Sequence, residues 1–164
     1  MRNIICIFLI LTGCSDFEFI YDSSYLKSPL INLTKISISG DGAEQAKIYV
    51  DESIGNNNNG EYFLSIIISK NTTVQKIETD STASKFTIEH IMSYALINSK
   101  NNGCPLAKEI ISTSTNYNAK SAGYDFGTDT SKKEAEYNNI IKNIDKFFIK
   151  LRNKNSELEC LDAN

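Results

Sequence analysis

The sequence is poor in the residues on which most active sites depend. It contains one histidine and no tryptophan among 164 residues. A Gly-x-Ser-x-Gly nucleophile elbow, a His-Glu-x-x-His zinc motif, a phosphate-binding loop and a cluster of metal-ligand residues are all absent. Adjacent acids such as Asp51 and Glu52 point apart on a helix and form no catalytic pair. We therefore expect no enzymatic activity, no cofactor and no metal, which argues against a hydrolase.

Excess positive charge and long hydrophobic runs are also lacking. The chain has 17 Lys and Arg against 20 Asp and Glu, a formal net charge of −3, so we expect no binding to nucleic acid. The one marked apolar run is Ile4–Leu11, behind the positive charge of Arg2. It is far shorter than the roughly 20 residues that a membrane-spanning helix needs, and its length is typical of a signal-peptide core.

The end of that run carries the clearest motif in the chain. Leu11-Thr12-Gly13-Cys14 resembles a bacterial lipobox, in which the cysteine sulfur takes a diacylglycerol and the chain is cut just before it. Cys14 is then the site of lipid attachment and the only membrane anchor. Two or more acyl chains anchor a protein stably, at ~0.8 kcal/mol per buried CH₂. The alternative is an ordinary secretory signal with a chance cysteine. Ser15 follows the cysteine, which by convention fits sorting to the outer membrane.

Two further cysteines, Cys104 and Cys160, remain for the body of the protein. An exported chain meets an oxidising compartment, where a disulfide between them is plausible. If the last helix returns along the fourth strand, it brings the tail with Cys160 toward Cys104, since both elements span on the order of 35–40 Å. Two free thiols are the alternative.

The chain divides into four parts. We predict a lipoprotein signal peptide over residues 1–13, a lipidated N-terminal tether over 14–34, one folded domain over 35–153 and a polar C-terminal tail over 154–164. Alternating apolar and polar residues predict four strands, over 35–39, 61–69, 86–96 and 106–117. The one histidine, His90, falls on the apolar face of the third strand, where we expect a half-buried structural imidazole. Asn102-Gly103 predicts a hairpin turn before the fourth strand.

Two helices complete the predicted domain. The first follows Asp41, which stands three residues before Glu44 in capping-box spacing. The second starts at a similar spacing between Ser131 and Glu134 and has a continuous apolar stripe, formed by Tyr137, Ile140, Ile141, Ile144, Phe147, Phe148 and Leu151. This element order predicts an α+β fold, a four-stranded antiparallel-rich sheet with two helices packed on one face.

Basic residues are concentrated on the last helix. In a chain that is negative overall, they offer a candidate face for an anionic ligand, formed by Lys132, Lys133, Lys142, Lys146, Lys150 and Arg152. The alternative is that they form the solvated side of an amphipathic helix.

Taken together, these features resemble the LPS-assembly lipoprotein LptE family, of an alphaproteobacterial type. Residues 17–21 after the lipobox resemble the family's Cys-Gly-Phe-x-Pro-Leu-Tyr start. Residues 115–118, with Ser121 and Tyr124, resemble its Ser-Tyr-Asn…Ser-x-Tyr segment. The resemblance covers most of residues 11–152. The family's Gly and Pro after the cysteine are absent here, and the two spare cysteines and the tail are not family hallmarks.

The resemblance implies a function and a place. LptE plugs the lumen of the outer-membrane β-barrel LptD, helps that barrel assemble and helps deliver lipopolysaccharide to the outer leaflet. By this resemblance the chain is a non-enzymatic, periplasm-facing outer-membrane lipoprotein with an LptD-like barrel as partner and lipopolysaccharide as a further candidate ligand. A generic outer-membrane lipoprotein with a structural or envelope-binding role is the alternative.

Overall fold

The computed structural model describes residues 30–77, 83–101, 103–119, 125–154 and 160–161. The predicted signal peptide, the lipid-attachment residue Cys14 and nearly all of the tether lie outside the described residues. The elements, in chain order, are β1 (Thr34–Gly40), α1 (Ala43–Ile54), β2 (Tyr62–Ile77), β3 (Ala83–Asn98), β4 (Cys104–Asn118) and α2 (Asp125–Lys154).

The four described strands form one sheet in the order β1-β2-β3-β4. β1 and β2 are parallel and joined through α1, whereas β2, β3 and β4 are antiparallel neighbours. A parallel pair needs a crossover connection, which α1 supplies, while successive antiparallel strands need only short turns. The predicted α+β fold, with an antiparallel-rich sheet and two helices, is confirmed.

The core lies between the sheet and the two helices. Leu64, Ile66 and Ile68 of β2 are buried and alternate with residues that face outward. Every second residue in the central part of β3 is buried in the same way. Val50 of α1 and Phe147 of α2 are fully buried in the same hydrophobic cluster, so both helices cover the same side of the sheet. This side is called the covered face below, and the opposite side the open face.

The start of α1 differs from the prediction. The residue before the helix is Gly42, in a left-handed conformation, and no side chain caps the helix. The Asp41 carboxylate accepts instead a hydrogen bond of 3.1 Å from the backbone N–H of Lys70 in β2. The capping-box prediction for Asp41 and Glu44 is therefore wrong, because the turn after β1 brings Asp41 to the sheet rather than to the helix.

The second helix also starts earlier than predicted. α2 begins at Asp125, so Ser131 lies inside it rather than at its cap. Its apolar stripe is confirmed for most positions, but Tyr137 is exposed. The buried positions that the periodicity missed are Asn139 and Asn143, both fully buried.

β1 covers only the first half of its neighbour. It pairs with β2 from Tyr62 to Ile68 and ends at Gly40. Gly40 has φ +100°, and a Cβ there would lie 1.9 Å from the carbonyl oxygen of Ile68, so only glycine fits this turn. Beyond it, residues 71–77 of β2 pair with β3 alone among the described strands.

Candidate interaction surface

The open face is the side of the sheet that neither helix covers. It carries three exposed isoleucines, one each on β2, β3 and β4: Ile67 is 55% exposed, Ile91 40% and Ile110 72%. Ile67 and Ile110 both pair with Ser93, one from each side, and Ile91 lies two residues before it. Diagonal neighbours on a sheet are within reach of long side chains, so the three form one apolar patch around Ser93. We call it the isoleucine patch.

Small hydroxyl-bearing side chains are the commonest type on the rest of the open face, beside several lysines and asparagines. They recur on all four strands and include Ser37, Ser39, Ser65, Ser69, Ser93, Ser112 and Ser114. At its far end, Ser112 donates a hydrogen bond of 2.6 Å to Glu89, and Thr87 donates one of 2.6 Å to Asn116. Short side chains let another backbone or sheet approach closely. The face is therefore suited to a broad, flat protein contact.

A buried amide network holds α2 on the covered face. The Nδ2 of Asn143 donates to the carbonyl of Ile111 at 2.9 Å and to Oγ1 of Thr113 at 3.0 Å. Its Oδ1 accepts a hydrogen bond of 2.9 Å from the hydroxyl of Tyr94. Burial raises the pKa of Tyr94 far above its ordinary value, so this hydroxyl stays a donor. The network fixes the position of α2 over β3 and β4.

Asn139 continues this network one turn earlier. Its Nδ2 donates at 3.0 Å to the carbonyl of Thr113 and lies 3.0 Å from Nδ1 of His90. His90 is buried more deeply than predicted, at 1% exposure. In the sequence, Asn139 and Asn143 stand four residues apart beside the apolar stripe of α2. Helical periodicity assigns polar residues to the exposed side of a helix, so it did not indicate that these two are buried.

The structure separates the six basic residues that were predicted to form one face on α2. Lys142, Lys146 and Lys150 are spaced by four and form one row along the helix, and Lys150 pairs with Glu109 of β4 at 3.1 Å. Arg152 points about 200° around the helix axis from Lys150. The remaining two, Lys132 and Lys133, precede Lys142 by ten and nine residues, between two and three turns of the helix. Arg152 thus lies away from the lysine row, and an anionic-ligand face on the other five residues stays a prediction.

Cys104 and Cys160 are joined by a disulfide, with their Cα atoms 5.6 Å apart. The next residue, Leu161, donates a backbone hydrogen bond of 2.7 Å to the carbonyl of Pro105. The bridge therefore fastens the chain beyond α2 to the start of β4.

No group of three or more His, Cys, Asp or Glu side chains in the described residues could hold a metal ion. No helix in that part of the chain has the length and apolar character to cross a membrane.

Comparison with solved structures finds the same architecture in bacterial lipoproteins. A protein from Caulobacter crescentus CB15, provisionally described as a lipoprotein, matches with a TM-score of 0.58 and 15% identity, over 81% of this chain and 99% of that one. Rare lipoprotein B from Shewanella oneidensis matches with a TM-score of 0.54 and 10% identity, over 74% and 94%. A minor lipoprotein from Acinetobacter baumannii matches with a TM-score of 0.50 and 8% identity, over 77% and 95%.

These likenesses show a shared fold. No protein-family model and no curated protein sequence matches the chain. The domain thus has a fold that is found in lipoproteins of several bacteria, and the matches extend over nearly the whole of those chains.

Proposed function

We propose that this chain is a lipid-anchored outer-membrane lipoprotein of the LptE kind. In this proposal it occupies the lumen of an LptD-type β-barrel, helps that barrel to assemble and assists the insertion of lipopolysaccharide into the outer leaflet, without enzymatic activity. The observation that carries the proposal is the fold shared with rare lipoprotein B over 94% of that chain, which agrees with the sequence resemblance to the LptE family. The lipobox at Leu11–Cys14 is consistent with it, because it supplies the anchor that such a protein needs.

The open face supports a protein partner of this type. A barrel interior is a curved wall of paired strands with small and polar side chains directed inward. The hydroxyl-bearing residues of the open face complement such a wall, and the isoleucine patch supplies apolar area that gains free energy when water is excluded. Exposed apolar patches rimmed by polar residues commonly mark protein interaction sites.

The first experiment is recovery of the tagged, lipidated protein from its native envelope in mild detergent, followed by mass identification of co-purifying proteins. We expect one large β-barrel protein in near-equal amount. Recovery of the lipoprotein alone, from membranes that contain the barrel, would contradict the proposal. The generic envelope lipoprotein would then be the better account.

A paired substitution tests the role of the open face. Ile110→Asp places a charge in the isoleucine patch, and we expect it to lower recovery of the barrel at least about tenfold, since a buried unpaired charge costs several kcal/mol. Ile48→Asp is the matched control, because Ile48 is 53% exposed on α1, away from the open face. Equal recovery of the barrel with both variants would show that the open face is not part of the interface. The barrel would still be the partner.

A further inference from the structure

The described chain begins with a turn, residues 30–33, that leads into β1. Two of its side chains are apolar and exposed to solvent: Ile31 is 38% exposed and Leu33 44%. Leu30, by contrast, is 1% exposed and belongs to the hydrophobic core. The turn thus places one apolar side chain in the core and leaves two others accessible. We call Ile31 and Leu33 the apolar tip.

Hydrogen bonds to neighbouring elements fix the backbone of this turn. Asn32, between the two tip residues, has φ +56°, a left-handed conformation that asparagine adopts more readily than most residues. Its N–H donates to the carbonyl of Ile54 at 2.7 Å, and its carbonyl accepts from Nδ2 of Asn57 at 2.9 Å. The carbonyl of Leu33 accepts the backbone N–H of Tyr62 at 2.9 Å. The apolar tip is therefore preorganised, so little backbone freedom is lost when it enters a contact.

Two loops lie at the same end of the domain as the apolar tip. The first, residues 55–61, packs directly against it, because a Cβ added at Gly60 would lie 2.4 Å from the carbonyl oxygen of Leu33. The second is the hairpin turn over residues 99–103. Its first residue donates a backbone hydrogen bond of 2.7 Å to the last residue of the first loop. The tip and the two loops thus form one continuous end surface.

This end surface carries no net charge, although the chain as a whole is negative. Glu61 is the one acid in the two loops and pairs with their one lysine, Lys100, at 3.5 Å. Asparagine is the commonest residue in both loops. The charged residues that flank the turn and the first loop in the sequence, Lys35 and Glu52, are again of opposite sign. Such a surface can approach the phosphate headgroups of a bilayer, whose oxygens accept hydrogen bonds from side-chain amides.

The chain also enters the domain at this end. In the proposed function Cys14 carries the lipid anchor, and fifteen residues, 15–29, separate it from Leu30. An extended chain spans at most ~3.3–3.6 Å per residue, so the anchor holds Leu30 within about 55 Å of the bilayer surface. Such a tether raises the effective concentration of the apolar tip at the membrane. A lipid surface is therefore the contact that the anchor places within reach of the tip.

We propose that the apolar tip is a second membrane contact, in which Ile31 and Leu33 insert into the interfacial region of the bilayer that holds the anchor. Two partly exposed side chains bury too little apolar area to bind a bilayer alone. The contact therefore depends on the anchor, and its effect is to fix the orientation of the domain at the membrane. The inference rests on the lipid anchor of the proposed function and does not require the barrel partner.

The absence of tryptophan from the chain makes a direct test possible. Leu33→Trp, in the lipidated protein reconstituted into vesicles of phosphatidylethanolamine and phosphatidylglycerol, places a single fluorophore at the tip. Ile77→Trp is the matched control, because Ile77 is 66% exposed and lies at the opposite end of β2. We expect lipids brominated on their acyl chains to quench Leu33→Trp at least about twofold, since tryptophan settles at interfacial depth. The control should keep its intensity.

The mass of the purified protein shows whether Cys14 is acylated, so that the anchor and the tip are judged separately. A protein without acyl chains would overturn the anchor and this inference with it. An acylated, folded protein whose Leu33→Trp fluorescence is unquenched would overturn the inference and leave the anchor intact. If that emission were also shifted to shorter wavelength, the tip would be covered by protein, either residues 15–29 or a second copy. Equal quenching of Leu33→Trp and Ile77→Trp would also contradict a contact confined to the tip.

Discussion

The two faces of the sheet are built from the same alternating strands but have opposite chemistry. The centre of the covered face is filled by large apolar side chains, with Tyr94 and Phe147 stacked at a centroid distance of 4.2 Å. Backbone carbonyls of β3 and β4 accept hydrogen bonds there from the side-chain amides of Asn139 and Asn143. The open face carries serines and three exposed isoleucines. The covered face holds the core that joins sheet and helices, whereas most side chains of the open face pack against neither helix and can contact a partner.

The largest effect on stability is expected from removing the disulfide that joins the chain beyond α2 to the start of β4. Replacing both cysteines, as Cys104→Ser with Cys160→Ser, opens a loop of sequence separation 56. We expect the free energy of unfolding to fall by about 4 kcal/mol on the entropic model, measured by urea denaturation. Wild-type protein kept in reductant should behave like the double variant. An unchanged urea midpoint in the double variant would mean that packing alone holds the helices on the sheet.

A matched pair of substitutions sharpens the contrast between the faces. Ile144 of α2 is fully buried against the sheet, and Ile110 is 72% exposed on the open face. We expect Ile144→Ala to lower stability by about 2–5 kcal/mol, from lost burial and a residual cavity. Ile110→Ala should change stability by no more than about 0.5 kcal/mol. Similar losses in the two variants would show that the open face is covered in the isolated protein.

The smallest expected effect is a pH dependence of the free energy of unfolding, which arises from His90 on the covered face. Burial lowers the pKa of His90 in the folded state, so the unfolded chain binds more protons in acid. The contribution of His90 to stability is therefore complete above its unfolded pKa of about 6.5 and declines as the pH falls from there toward the folded pKa. Urea midpoints of wild type and His90→Gln should diverge across this range. A constant difference between them at every pH would contradict this assignment.

Much of the fold could be predicted from local patterns. Period-two alternation located all four strands, and the apolar stripe from Ile140 to Leu151 located the buried side of α2. The parallel pairing of β1 with β2 and the early start of α2 were not predicted, because they depend on contacts between distant segments. The capping box at Asp41 failed for the same reason, since a sheet N–H competed for that carboxylate.

The candidate surfaces were less accessible to sequence reasoning. The six basic residues of α2 look like one cluster along the chain, yet helical rotation and the ion pair with Glu109 divide them. The buried amide network joins residues from β3, β4 and α2, which no local spacing reveals. The open face could be read only as the polar half of each strand, since the sequence does not show which side the helices cover.

The bridge between Cys104 and Cys160 has one more consequence. It closes β4 and all of α2 into a single covalent ring, because every residue between the two cysteines lies inside it. A protease that cuts the chain once within this ring opens it without separating the pieces. Such nicked molecules keep their full mass on a non-reducing gel and fall into two fragments only after reduction, so a cut within the ring stays undetected until the disulfide is reduced.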